Sequence, residues 1–192
     1  VMAMVSGAIR PAGESYREQL FNGIYKDNGN EALNEFLKPT LGYLVYQEQI
    51  IDFLHEFCGY TMGQADIVRR HFAKKTGTET DIPIIENGGY MVDIHGNRDE
   101  KYIPGFIKIA KEKYGMSEDE ARETIKSFLV VIDDASNYLF SRNHSVPYSM
   151  VGFFIGWLRY YYKIELLTSA LNVYVDNTEK VSNIKEYIKS QG

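Results

Sequence analysis

Four cations crowd into one short stretch, Arg69-Arg70-His71-Phe72-Ala73-Lys74-Lys75, with no acid among them. The chain around them is acidic, with 21 Lys and Arg against 26 Asp and Glu and a net charge of −5. At about 100° per helical residue, Ala65, Val68 and Phe72 share one side, while Arg70 and Lys74 lie opposite and Arg69 flanks them. Like charges one turn apart repel by about 0.2–0.5 kcal/mol, which favours an anion gathered between them. A triphosphate has the required chemistry: guanidinium forks take phosphate oxygens in pairs, and an ammonium adds a mobile point charge. The same residues also describe a solvated face, with Asp66 pairing Arg70 and the Lys pair complementing the helix C-terminus. A second cluster, Ser141-Arg142-Asn143-His144-Ser145, stands just ahead of another helical pattern. Free amides at a helix start, with Arg and Ser donors beside them, make an anion pocket. Alternatively, Ser145 simply caps that helix and His144 sits in the turn.

Other residues offer less. Asp93-x-His95 has metal-ligand side chains and would suit a small metal-dependent nuclease, but Gly96-Asn97 marks the surroundings as a polar loop. Tyr160-Tyr161-Tyr162 could stack on bases, or be a helix presenting rings to core and rim. Cys58 reads as a small core residue, and as the only cysteine it excludes a disulfide framework or a multi-cysteine metal site. There is no Gly-rich phosphate loop, His-x-Glu pair or nucleophile elbow. Asp133 and Asp134 are adjacent, so on a helix they point about 100° apart and make no two-metal pair.

The elements that must position these residues read as helices. Turn-forming Arg10-Pro11-Ala12-Gly13 and Asp27-Asn28-Gly29-Asn30 bracket a short amphipathic piece. Tyr46, Ile50, Phe53, Leu54 and Phe57 follow one helix face, and Gly59 suits a left-handed end. Thr61 and Gln64 form a capping box opening a helix to about Lys75. Ile82-Pro83-Ile84-Ile85 and Tyr90-Met91-Val92-Asp93-Ile94 flank Asn87-Gly88-Gly89 and predict a small β-hairpin, with Pro83 confining its first strand to an edge. Pro104-Gly105 closes the excursion. Helices resume over Phe106–Tyr114 and, after the Ser117/Glu120 capping box, toward Phe128. Phe140 to Ser145 reads as a turn, with Pro147 in the first turn of a helix whose apolar face is Val151, Phe154, Ile155 and Leu158. Ile164–Val175 and a last helix bearing Val181, Ile184 and Ile188, capped by Asp176-Asn177-Thr178, complete the chain. The expected fold is mainly α with one small hairpin.

At 192 residues, 44% hydrophobic and 24% charged, the composition is that of a globular chain rather than a disordered one. The longest near-continuous apolar run, Met150–Leu158, falls far short of the ~18 residues of a membrane-spanning helix. The start is not expected to be a signal peptide, and a cytoplasmic location is expected. The acidic balance argues against whole-surface nucleic-acid binding but leaves a local basic site open. A Val at position 1 and a helical pattern stopping just after Ile188 lead us to expect a segment of a longer polypeptide.

Five ordered motifs resemble those of the C-family bacterial replicative DNA polymerases, the α subunits of DNA polymerase III. Pro39-Thr40-Leu41-Gly42-Tyr43-Leu44-Val45-Tyr46-Gln47-Glu48-Gln49 is similar to the family's P-T-x-G-x-x-x-Y-Q-E-Q. Gly59-Tyr60-Thr61-Met62-Gly63-Gln64-Ala65-Asp66, with Arg69-Arg70 and Lys74-Lys75, resembles its G-Y-T-x-G-x-A-D-x-x-R-R…K-K. Phe140 to Tyr148 resembles F-N-K-S-H-x-x-x-Y, Asp176 to Val181 matches D-N-T-E-K-V, and Arg10-Pro11 corresponds to R-P-G-P. Departures are His71-Phe72-Ala73 for A-M-G, Ser141-Arg142-Asn143-His144 for N-K-S-H, Ala12-Gly13 for the G-P of R-P-G-P, and residues 78–104, which have no counterpart.

The resemblance implies a multi-helix fingers segment over residues 1–192, with 78–104 as a hairpin-like insertion. It implies contact with the incoming dNTP and primer-template DNA through Arg69, Arg70, Lys74 and Lys75, faced by a polar wall of Arg142, Asn143, His144 and Ser145, with Arg10 as a further contributor. It places the carboxylates and Mg2+ of phosphoryl transfer in the palm, so no cofactor and no activity are expected of this segment alone. Implied partners are the palm and other polymerase domains and, through other regions, replisome subunits such as the sliding clamp. The alternative is a non-catalytic helical interaction module that keeps the fold without nucleotide binding.

Overall fold

The computed structural model describes residues 1–9, 15–93, 95–136 and 139–190, and they divide into two compact units, Val1–Val146 and Pro147–Gly192. In the first, α1 (Met2–Ala8), α2 (Arg17–Phe21) and α3 (Glu31–Leu37) lead through a 3-10 turn to α4 (Gln47–Cys58) and α5 (Met62–Lys74). Then come α6 (Thr78–Asn87), α7 (Phe106–Tyr114), α8 (Glu118–Ser136) and the start of α9 (Arg142–Tyr161). The rest of α9, with α10 (Lys163–Val173) and α11 (Thr178–Ser190), makes the second. The mainly α class is as the periodicities require.

The core of the first unit grows around α4, whose Ile50, Phe53, Leu54 and Phe57 are buried. The Phe53 ring lies 4.6 Å from Phe128 of α8, 5.3 Å from Phe57 and 5.9 Å from Phe106 of α7. Gly59 ends α4 at φ 82°, as its position predicts, and Thr61 and Gln64 exchange the two bonds of a capping box to start α5. α5 buries Ala65, Val68 and Phe72, which turns its cations outward or sideways.

The expected hairpin does not form. Residues 78–87 are a helix, with Glu79 and Asp81 in its first turn, where the helix dipole favours acids, and with Asp81 and Ile85 buried one turn apart. Asn87-Gly88, read as a hairpin turn, is instead a helix end at Gly88. Among the described residues the antiparallel pairing is limited to isolated bridges, Gly89 with Ile103 and Val92 with Arg98. The reversal thus comes near His95-Gly96. The excursion closes where two backbones touch: a Cβ on Gly105 (φ 79°) would stand 2.2 Å from the Gly88 nitrogen. Gly105→Ala is therefore expected to destabilise the chain by about 2 kcal/mol or more, through left-handed strain plus overlap, read from a shift in the urea midpoint.

Two helix bounds also differ from expectation. α8 continues past Phe128 to Ser136, burying Ile132 and Ala135. α9 begins at Arg142, so Phe140–Ser145 is largely helical, Pro147 lies beyond the first turn, and Ser145 is not the cap. In the second unit Asn177 Oδ1 accepts from the Lys180 N–H and caps α11. Val151, Phe154, Ile155 and Leu158 stay 36–57% exposed, so the apolar face read from the sequence is not buried there.

Candidate functional site

The site is built from the entry to α4. Residues Tyr43 to Tyr46 are buried, and their approach is fixed by Gln49, itself buried. Gln49 Oε1 accepts from the Val45 and Tyr46 N–H groups at 2.8 and 2.9 Å, and its Nε2 donates to Thr40 Oγ1 at 2.8 Å. That frame sets Gln47 and Glu48 at the first turn of α4, each half-buried. Tyr46 makes a parallel bridge to Phe140, with the Gln47 N–H donating to the Phe140 carbonyl at 3.3 Å.

Both cation-bearing clusters attach to these two residues. Arg69, 17% exposed at its side chain, donates from Nη1 to Gln47 Oε1 at 3.2 Å and from Nη2 to Asp66 at 2.8 Å. Arg70 pairs with the other Asp66 oxygen at 2.6 Å. Burial works against the Asp66 charge, but the two guanidiniums outweigh it and hold the carboxyl below its usual range. On the neighbouring residue, Glu48 Oε1 accepts from Ser141 Oγ at 2.6 Å, and both its oxygens accept from the Arg142 N–H at 2.9–3.0 Å. The Arg142 guanidinium stands 5.2 Å from the Tyr46 ring centroid. Asp52, one turn on, is pushed up by burial, against the pull of Arg142 and helped by the Glu48 charge.

The anion pocket expected at the start of α9 is thus occupied from within: a carboxylate of this chain sits on the Arg142 amide. Ser145 is buried and donates to the Ser141 carbonyl, whereas Asn143 and His144 are exposed. Lys75, left-handed at φ 53°, turns to α8 and binds Asp133 at 2.5 Å. Lys74 is exposed and has no ion-pair partner among the described residues. Arg10 lies outside the described residues. Asp93 spends its oxygens on its own loop, accepting from His95 N–H, Asn97 N–H and Asn97 Nδ2, and the described residues include no group of three His, Cys, Asp or Glu suited to a metal ion. Among the described residues no helix is long and apolar enough to cross a membrane.

Sequence reasoning did not give Gln47, Glu48 and Gln49 these roles. They stand in the Y-Q-E-Q run already quoted, but the groups they hold are up to 94 positions away, and only the fold brings them together.

Residues 15–82 match the finger domain of the bacterial DNA polymerase III alpha subunit. DNA polymerase III subunit alpha of Vibrio cholerae is 27% identical over 85% of this chain and 12% of its own length. The Deinococcus radiodurans subunit is 29% identical over 84% of the chain and 10% of its own length, and that of Escherichia coli K12 27% over 79% and 11%. The chain spans 10–12% of the length of these relatives.

Proposed function

We propose, for a chain whose residues 15–82 match the finger domain of the bacterial DNA polymerase III alpha subunit, that it grips the triphosphate of an incoming dNTP and the primer-template end during DNA-templated DNA synthesis. The observation that carries this reading is the attachment of Arg69 and of the Arg142 turn to the consecutive residues Gln47 and Glu48. Two guanidiniums sharing the single Asp66 carboxylate keep one net positive charge while being held in place. Such preorganised cations, set where charge develops on the β and γ phosphates, stabilise the transition state and the leaving pyrophosphate. Arg70 and Lys74 reach outward for phosphate, Lys75 joins them on release from Asp133, and Arg142, Asn143 and His144 form the facing wall. Ser145 serves that wall by fixing its turn, and Arg10 is a further contributor. The metal-binding carboxylates and Mg2+ belong to a palm outside this segment, so the segment alone does not polymerise. The other partners in this reading are the remaining polymerase domains and replisome subunits such as the sliding clamp, in the cytoplasm.

Arg69→Ala, Arg70→Ala in a polymerase chain carrying this segment is the test. The expected result is a rise of about tenfold or more in the apparent KM for dNTP, with kcat lowered as well. A second reading, an interaction module that keeps the fold without binding nucleotide, is favoured by the internal pairing of Arg69, Arg70 and Lys75. Unchanged KM and kcat in the folded double variant would select it.

A further inference from the structure

Away from the cations, a cavity of about 540 Å3 opens between the start of α3, the end of α4 and the α7–α8 turn. Its floor is aromatic. The Phe57 ring is 5.3 Å from Phe36, edge-on, and 5.0 Å from Tyr114, stacked. Its mouth is acidic, carrying Glu31, Glu35, Glu56 and Glu120. Lys38 pairs with Glu35 and Lys113 with Glu56, which leaves Glu31 and Glu120 with no cationic partner among the described residues. The helix dipoles at the starts of α3 and α8 ease that charge but do not cancel it.

Two further features show what fits there. Lys113, next to Tyr114 in α7, holds its ammonium 4.9 Å from the Tyr114 ring centroid and 3.5 Å from Glu56, so a cation on this ring beside this carboxylate is realised within the chain. Asn30, 9% exposed and lining the cavity, uses its Oδ1 to cap α3, while its Nδ2 reaches only the Met116 sulfur at 3.6 Å. A thioether is a weak acceptor, so this buried donor would gain from a carbonyl oxygen. Rings, carboxylates and one amide donor together match an arginine side chain and its peptide backbone. The planar guanidinium stacks on a ring face and bonds a carboxylate in pairs, which a lysine cannot do. The carboxylates repel nucleic-acid phosphates.

We propose that this cavity is a docking site for an arginine presented by a protein partner, independent of the nucleotide reading above. The test titrates the isotope-labelled chain with the capped peptide Gly-Gly-Arg-Gly-Gly at physiological salt, following backbone amides by NMR. The expected result is a set of shifts confined to residues around Asn30, Phe36, Tyr114, Met116 and Glu120. Glu31→Gln, Glu120→Gln should weaken the apparent affinity about fivefold while leaving the rest of the spectrum in place. Shifts scattered over acids elsewhere, such as Glu79, Asp99 and Glu165, would overturn the proposal. So would an affinity unchanged in the double variant, equal binding of the capped peptide Gly-Gly-Lys-Gly-Gly, or a single-stranded oligonucleotide shifting the same amides.

Discussion

Gln49→Leu should lower the unfolding free energy by about 4 kcal/mol, because it strips partners from two buried amides at once and each orphaned group costs about 1–3 kcal/mol. Leucine fills nearly the same volume, so a cavity contributes little. The loss is polar. Val45 and Tyr46 N–H, both in buried backbone, have Gln49 Oε1 as their acceptor, and Thr40 Oγ1 loses the Nε2 donor. Water reaches this stretch poorly, since Tyr43, Leu44, Val45 and Tyr46 are 1–6% exposed. Urea unfolding measures the effect directly. A loss below about 1 kcal/mol would mean that the 40–46 segment relaxes toward solvent and is not the rigid frame described above. A stable but reorganised variant would still expose itself, because Gln47 would leave Arg69 and the Tyr46–Phe140 bridge would open.

What the sequence made legible was local. A capping box between Thr61 and Gln64, a left-handed glycine after Cys58, and the Ala65–Val68–Phe72 face of α5 each depend on neighbours along the chain, and each appears where the pattern puts it. The 78–104 excursion misled for an equally physical reason. Asn-Gly after a short apolar run serves a hairpin turn or a helix C-terminus alike, and Ile82, Ile84 and Ile85 suit either period. The choice was made by tertiary partners: Asp81 meets His71 at 2.7 Å, and Ile85 enters the core. The start of α9 was misplaced because its capping carboxylate, Glu48, lies 94 positions before the amide it receives. The same distance hid the site. Two basic clusters could be named from composition, but that they share the first turn of α4 is a property of the fold alone.

Glu48 therefore invites the second large perturbation. Glu48→Ala removes a charged acceptor from Ser141 Oγ and from the Arg142 N–H, and bonds to a charged group are worth about 1.5–3 kcal/mol each. Glu48 is only half-buried, so water recovers part of this, and a net loss of about 3 kcal/mol is expected. The damage should be polarised: hydrogen exchange should quicken in the first turn of α9 and at Ser141 and leave α7 and α8 protected. Glu48→Gln separates charge from shape. Its amide oxygen can still accept from Ser141 or Arg142, so it should cost about half as much. It also removes a negative charge beside Tyr46, Asp52 and Arg142, so added pyrophosphate should raise the melting temperature of Glu48→Gln more than that of the parent chain. If pyrophosphate moves neither, the resident carboxylate is purely a clasp between α4 and α9. The anion-binding role would then rest on Arg69, Arg70 and Lys74 without the α9 turn.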